Sequence, residues 1–536
     1  MAERQPAPTA SIAGRATGGP RRAGHVPDSV ILAIACVAQF MVVLDVSIVN
    51  VALPSIGRDL HYTPTGLQWV VNAYVLTFAG FLLLGGRAAD LFGRRRVFLF
   101  GLGLFTLASL AGAVAQDSTW LTTARAVQGI GGALLSPATL TIIVTTFAPQ
   151  RRAWALGIWS AVAGAGGAAG AILGGVLTSA LSWRWVLFVN IPIGVAGVIA
   201  GVTWLTESRA ADCGGPAPRL DIGGAVTVTL GLGVLVYAIV GTQTHPWTSA
   251  QTLVLLAIAA VLLAVFAIIQ LRVARMPLVP FGLFRSRSVT GANIVMFLVG
   301  AAFFAMWYFL SLYLQNVLGY SALRAGMAFL PMAVTIIVGA QVSARLLPRV
   351  GVRPLLLAGT ILATAGFAWL SRITPVALYW QHVFGPGCLI SLALGLLFTP
   401  LAAAATTGVS FAEAGLASGV LNTSRQVGGS LGLAALATIA TDRTHAMLAG
   451  AAGGGAGPAG LGARHSAAAM AGLNAGYARA FEVAAAMTLA AFLAAFVVPA
   501  IRNSRSPSGG TRDQAAEGHV TMRDASAAGA SDAAHP

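Results

Sequence analysis

Fourteen times along this chain an apolar run of bilayer-spanning length is closed off by Arg, Pro or Gly-rich turns, and a soluble fold has no room to bury so many. A hydrocarbon core about 30 Å thick requires roughly 20 residues at 1.5 Å rise. The runs lie near residues 30–52, 68–86, 97–116, 121–146, 153–179, 184–205, 221–241, 252–271, 289–315, 325–347, 354–371, 380–408, 415–440 and 478–500. With 57% of 536 residues hydrophobic and only 9% charged, too little charged surface remains to coat a water-soluble body. The pattern predicts an all-α membrane protein with fourteen transmembrane helices.

Every one of the 32 basic residues is Arg, and the net charge is +16. They sit in short loops between apolar runs and form no basic domain, so they read as topology signals and point to no nucleic-acid partner. With the N-terminus inside, 23 Arg fall on the cytoplasmic side and seven outside, with Arg125 and Arg425 within spans. That excess predicts a multi-pass protein of the cytoplasmic (inner) membrane with both termini in the cytoplasm. Residues 1–28 are polar and lack a cleavage site before the first run, so that run stays as an anchor. The tail 502–536 and the external stretch 442–477, with Gly453-Gly454-Gly455, are too poor in large apolar residues to form domains; the tails read as disordered.

Cys36, Cys213 and Cys388 are far apart, and the eight His are scattered, so neither a disulfide framework nor a metal site is expected. Without Lys there is no phosphate-cradling loop for ATP, no cofactor is called for, and an ion gradient is the remaining source of energy.

An internal repeat is visible. A shift of 258 residues places Arg87, Gly93 and Arg95 over Arg345, Gly351 and Arg353; a shift of 262 places Gly157, Gly166, Gly167 and Gly170 over Gly419, Gly428, Gly429 and Gly432. Spans 1–6 (29–206) thus correspond to spans 9–14 (289–501), and spans 7 and 8 (207–288) are an inserted pair.

The loop after span 2 reads Gly86-Arg87-Ala88-Ala89-Asp90-Leu91-Phe92-Gly93-Arg94-Arg95-Arg96. A positive-inside anchor explains the arginines but not Asp90, Gly86 or Gly93. The loop resembles the signature of the major facilitator superfamily. The resemblance implies two six-helix bundles and a conformational gate at Gly86, Arg87, Asp90, Gly93 and Arg94 on the cytoplasmic face.

Span 4 places Arg125, Gln128, Gly129 and Gly132 on one helical face. Arg125 either snorkels from the helix end or faces a partner or cavity, since a mid-helix Arg costs about 3 kcal/mol in lipid. The block is similar to a family motif whose Arg is linked to proton coupling. Span 1 carries Asp45, the deepest carboxylate in the chain, within Leu44-Asp45-Val46-Ser47-Ile48-Val49-Asn50-Val51-Ala52-Leu53-Pro54. Such an acid either exchanges a proton, with Arg125 as candidate partner, or makes a structural hydrogen bond. This block resembles the fourteen-span drug:proton antiporter family.

In span 5, Gly166, Gly170 and Gly174 stand four residues apart, a stripe on which another helix can pack closely. With Gly157 and Gly175 they match the spacing of the antiporter motif, except that Ala171 stands where the family usually has Pro, which implies a weaker kink. Likeness continues through Trp183-Arg184-Trp185, Phe188-Val189-Asn190, Tyr313-Leu314-Gln315 and Asn422-Thr423-Ser424-Arg425-Gln426. Asn50, Gln128, Asn190, Gln315, Asn422, Arg425 and Gln426 are candidates for the wall of a substrate cavity; the last cluster could equally join helices.

The resemblance implies a monomeric, proton-coupled antiporter that exports drug-like or antibiotic small molecules through the lipid bilayer. Export of an endogenous metabolite, siderophore or peptide, or symport, stays open. A membrane-embedded enzyme predicts a loop cluster of His, Asp or Cys, and the sequence has none.

Overall fold

The computed structural model describes residues 27–499 apart from 64–65, 208–220, 243–244, 275–276, 377, 410 and 453–460. The expectations for the two tails, apart from Pro27 and Asp28, and for the Gly453-Gly454-Gly455 run lie outside the described residues. Among the described residues all regular structure is helical.

The first six long helices are α1 (Asp28–Asp59), α2 (Trp69–Phe92), α3 (Arg94–Ala113), α4 (Ser118–Thr146), α5 (Pro149–Ala180) and α6 (Asn190–Trp204), the last preceded by a single turn, Trp185–Phe188. Then come α7 (Ile222–Gly241) and α8 (Ala250–Ile268). The final six are α9 (Arg287–Leu312), α10 (Leu330–Val350, after a short helix Ala322–Ala328), α11 (Val352–Leu370), α12 (Gly385–Thr406), α13 (Phe411–Ala452) and α14 (Leu461–Ala495).

Among the described residues, twelve helices are long and apolar enough to cross a membrane. They do not include α5 and α13, which stand where spans 5 and 13 are expected and are rich in Gly and Ala. Helices thus stand at all fourteen expected places, and twelve of them meet the hydropathy criterion among the described residues. Two boundaries also move. Arg94–Arg96 form the first turn of α3, not part of the loop. The stretch 442–477 is largely helical, because α13 and α14 extend into it; its many alanines, the best helix formers, favour that outcome over coil.

The repeat is visible in the packing. In the first half α1 packs on α5, and α4 on α2 and α3; in the second, α9 packs on α13, and α12 on α10 and α11. Gly93 and Gly351 join equivalent helix pairs with φ of +105° and +81°, a backbone that side-chain-bearing residues rarely adopt. The inserted α7 packs against both α2 and α13, where Leu76, Leu232, Val236 and Ala434 share one cluster. Helix α8 has the highest mean hydropathy of the twelve, 3.1, and is the least buried, so it lies outermost.

Candidate functional site

The glycine stripe of α5 sets the rotation of α1. A Cβ on Gly166 would lie 3.0 Å from the Phe40 carbonyl, one on Gly170 2.8 Å from that of Leu44, and one on Gly174 2.8 Å from that of Ile48. Phe40, Leu44 and Ile48 recur every four residues, so α1 turns this face to α5, and Asp45, about 100° further round, points to α4 and α6. Gly157 takes no part, since nothing lies within 4 Å of its Cβ position. Gly175 instead meets the Ala322 carbonyl, at 2.7 Å. At the position of the family's usual Pro, Ala171 sits within one continuous helix.

Asp45 is 0% exposed, and two helices send three donors to it. Arg125 on α4 donates through Nη1 to Oδ2 at 2.6 Å. Gln128, one turn along α4, donates to Oδ1 at 2.8 Å, and Asn190, the first residue of α6, donates to the same oxygen at 2.9 Å. Ser109 on α3 accepts from both amides, at 3.2 and 2.9 Å, and donates to the Leu187 carbonyl at 3.1 Å. Arg125, 2% exposed, also donates to the Gln128 side-chain oxygen at 2.6 Å and to the Val70 carbonyl at 3.1 Å. Its guanidinium lies 4.4 Å from the centre of the Tyr74 ring.

Arg125 thus does not snorkel. The dehydration of two buried charges is offset by their mutual attraction, by five hydrogen bonds at named atoms and by an aromatic face. Ser109, Tyr74 and the Val70 carbonyl are not singled out by the sequence; Val70 and Tyr74 are four apart on α2, and Val70 takes part only through its backbone.

The candidate cavity residues separate. Gln128 and Asn190, 1% and 0% exposed, are occupied by Asp45 and do not line open space. Asn50 turns back to the Val46 carbonyl of its own helix at 3.0 Å. Gln315 crosses between the bundles to the Val51 carbonyl at 2.9 Å, beside a Ser311 bond to the Asn50 carbonyl at 2.7 Å. Together with Leu323 N–H donating to Ser179 at 3.1 Å, these bonds join the bundles at the face opposite the chain ends. Asn422, Arg425 and Gln426 lie on α13; Gln426 is buried, and its side-chain oxygen has no hydrogen-bond partner.

The first turn of α3 docks on the end of α6 and the residues after it. Arg95 donates to the Gly201 and Val202 carbonyls at 3.2 and 2.5 Å, and its N–H donates to Glu207 at 3.2 Å. Arg96 pairs with Glu207 at 3.5 Å. Gly93 lies against that carboxylate, leaving no room for a Cβ. Gly86 only reaches ordinary contact with Pro137, at 3.7 Å, and Arg87 Nε has no hydrogen-bond partner. Helix α2 carries Asp90 in its last turn. The residue with the clearest docking role is therefore Arg95, outside the expected gating set. No group of three or more His, Cys, Asp or Glu among the described residues could hold a metal.

Residues 35–433 match the family model described as Major Facilitator Superfamily. The chain is 46% identical over 410 residues to the cephamycin export protein of Amycolatopsis lactamdurans, covering 76% of this chain and 84% of that protein. It is 42% identical over 422 residues to a puromycin resistance protein of Streptomyces alboniger, covering 78% and 83%. Among solved structures, a bacterial homologue of the human lysosomal transporter Spinster, in an inward-facing and occupied conformation, superposes with a TM-score of 0.61 at 15% identity, over 90% of this chain and 99% of that one.

Proposed function

The chain belongs to the major facilitator superfamily of membrane transporters, and from this premise we propose that it is a proton-coupled antiporter exporting drug-like or antibiotic small molecules across the cytoplasmic membrane. It is a multi-pass transporter of small molecules and not an enzyme. Export of antibiotics is supported by the relatives, which are an export protein and a resistance protein. We place it in the fourteen-span drug:proton branch, with α5 and α13 as the two further spans and both termini cytoplasmic.

Proton coupling rests on one observation, the buried Asp45–Arg125 pair. As a carboxylate, Asp45 accepts from Arg125, Gln128 and Asn190 and so ties α1 to α4 and α6. A proton placed on Oδ2 cancels the charge that holds Arg125 Nη1, and the guanidinium must seek another acceptor. Protonation therefore changes the affinity of α1 for α4, which is the differential a two-state carrier needs if a proton is to bias its rocking. Proton entry from outside drives substrate exit.

The test is antibiotic and dye accumulation in a pump-deficient bacterial host, with intact protein or Asp45→Asn, with and without a protonophore. Lower accumulation that disappears with either treatment is expected. Export that survives both would leave Asp45 a structural residue and the reading wrong.

A further inference from the structure

Arginine occurs a second time inside the helical core, on α13, and it is held differently. No ion pair among the described residues includes Arg425, and its Nε is buried without a hydrogen-bond partner. Its guanidinium lies 5.7 Å from the centre of the Phe398 ring on α12. Arg125 has a carboxylate, an amide and a carbonyl; Arg425 has an aromatic ring and partial exposure.

Neighbouring glycines show which way Arg425 points. Its own carbonyl packs on Gly300 of α9, and one turn further along α13 the Cβ direction of Gly429 runs into the ring of Phe304, 2.6 Å away. Arg425 and Gly429 are four apart and share a face, as does Asn422. On α9, Phe304, Trp307 and Ser311 likewise share a face, and it is from this face that Ser311 reaches α1 of the other bundle. The stripe bearing Asn422 and Arg425 thus looks into the space between the bundles, with Phe304, Trp307 and Phe398 around it, all half-buried. At 14 residues into α13, Arg425 is about 21 Å along the helix, well inside the bilayer.

We propose that Arg425 is the anion-binding subsite of the transport cavity, so that the exported molecules carry a carboxylate on an apolar, ring-bearing body. A guanidinium without an acid partner presents a planar fork of donors that matches a carboxylate bidentately, and the aromatic side chains beside it supply the surface for the rest of such a molecule. Until cargo arrives, no acid among the described residues pairs with the charge. Cargo binding and charge compensation are then one event, and a neutral analogue forfeits it. This inference rests on the export reading and adds the substrate class.

Two assays separate its failure from the failure of that reading. In the first, intact protein, Arg425→Gln and Arg425→Lys are compared in a pump-deficient host for export of carboxylate antibiotics, including a cephamycin, and of their methyl esters. In the second, each protein in phosphatidylcholine nanodiscs is titrated with the same acids and esters, following tryptophan fluorescence. The expected result is that Arg425→Gln weakens binding of the acids by about tenfold or more and abolishes their export, with ester binding unchanged and Arg425→Lys intermediate. Equal loss for acids and esters, no loss for either, or binding of esters alone to the intact protein overturns the proposal while export can stand. Repeating the titration with phosphatidylglycerol present tests the other source of an anion; if Arg425→Gln alters only the effect of that lipid, the subsite is for a headgroup and the proposal fails. Should Arg425→Gln not fold, judged by its melting curve, Arg425→Lys carries the comparison, since it keeps the charge and loses the fork.

Discussion

Arg125 Nη1 lies 2.6 Å from Asp45 Oδ2 with both side chains buried, whereas the same 2.6 Å separates Arg184 from Asp59 with side chains 34% and 47% exposed. Equal distances carry unequal consequences, because water screens the second pair and not the first. Asp45→Asn should lower stability in detergent by about 3–5 kcal/mol, leaving a buried guanidinium uncompensated. Asp59→Asn should cost about 1 kcal/mol or less. Thermal unfolding of the purified variants measures both. A double-mutant cycle adding Arg125→Gln to Asp45→Asn should recover part of the first loss; strict additivity would show that the pair is not coupled.

Tyr74 offers a cleaner dissection, since its hydroxyl has no hydrogen-bond partner while its ring faces Arg125. Tyr74→Phe should leave export and melting temperature close to those of the intact protein. Tyr74→Leu removes the aromatic face and should cost about 1–2 kcal/mol. If Tyr74→Phe proved as damaging as Tyr74→Leu, the hydroxyl would have a role the structure does not show.

The glycines of α5 should not respond alike. Gly170→Ala places a methyl 2.7 Å from Ser47 Cβ and 2.8 Å from the Leu44 carbonyl, and should destabilise by about 1–3 kcal/mol while shifting Asp45 away from Arg125. Gly157→Ala meets nothing within 4 Å and should be neutral or stabilise by up to about 1 kcal/mol. Melting curves and export rates for the two variants, side by side, check this contrast.

Ser311 on α9 and Gln315 just beyond its end hold this segment to the α1 backbone at the face away from the chain ends. Replacing both with Ala removes bonds each contributing about 1 kcal/mol, so the population of molecules open at that face should rise by roughly tenfold or more. Distances between spin labels on the ends of α1 and α9 would report it. A distribution unchanged by the double substitution would mean that other contacts close this face.

The helical membrane architecture could be read from apolar run lengths, because lipid leaves a spanning backbone few ways to satisfy its polar groups. The repeat showed itself through Gly93 and Gly351, where the backbone admits little but glycine. Helix ends were less legible: α13 and α14 continue through Ala-rich sequence that hydropathy takes for loop. At the site, Asp45 and Arg125 stood out as charges in apolar runs. Their supporting shell did not, since Ser109 is an ordinary small polar residue in sequence and Val70 contributes only a carbonyl. Gln128 and Asn190 looked like cavity residues because sequence shows that a polar group is buried in a span but not what it faces.

The position of α7 has an implication for traffic through the bilayer. Two lateral seams run between the bundles, one along α2 and α13, the other along α5 and α10. At the first, α7 rests on both partners, with Thr438 of α13 donating to the Ile239 carbonyl at 3.3 Å and Gly80 of α2 close against Thr229. That seam is shuttered on its lipid side. The seam along α5 and α10 has no such cover among the described residues, so the two extra helices make the carrier handed in a way its internal repeat is not.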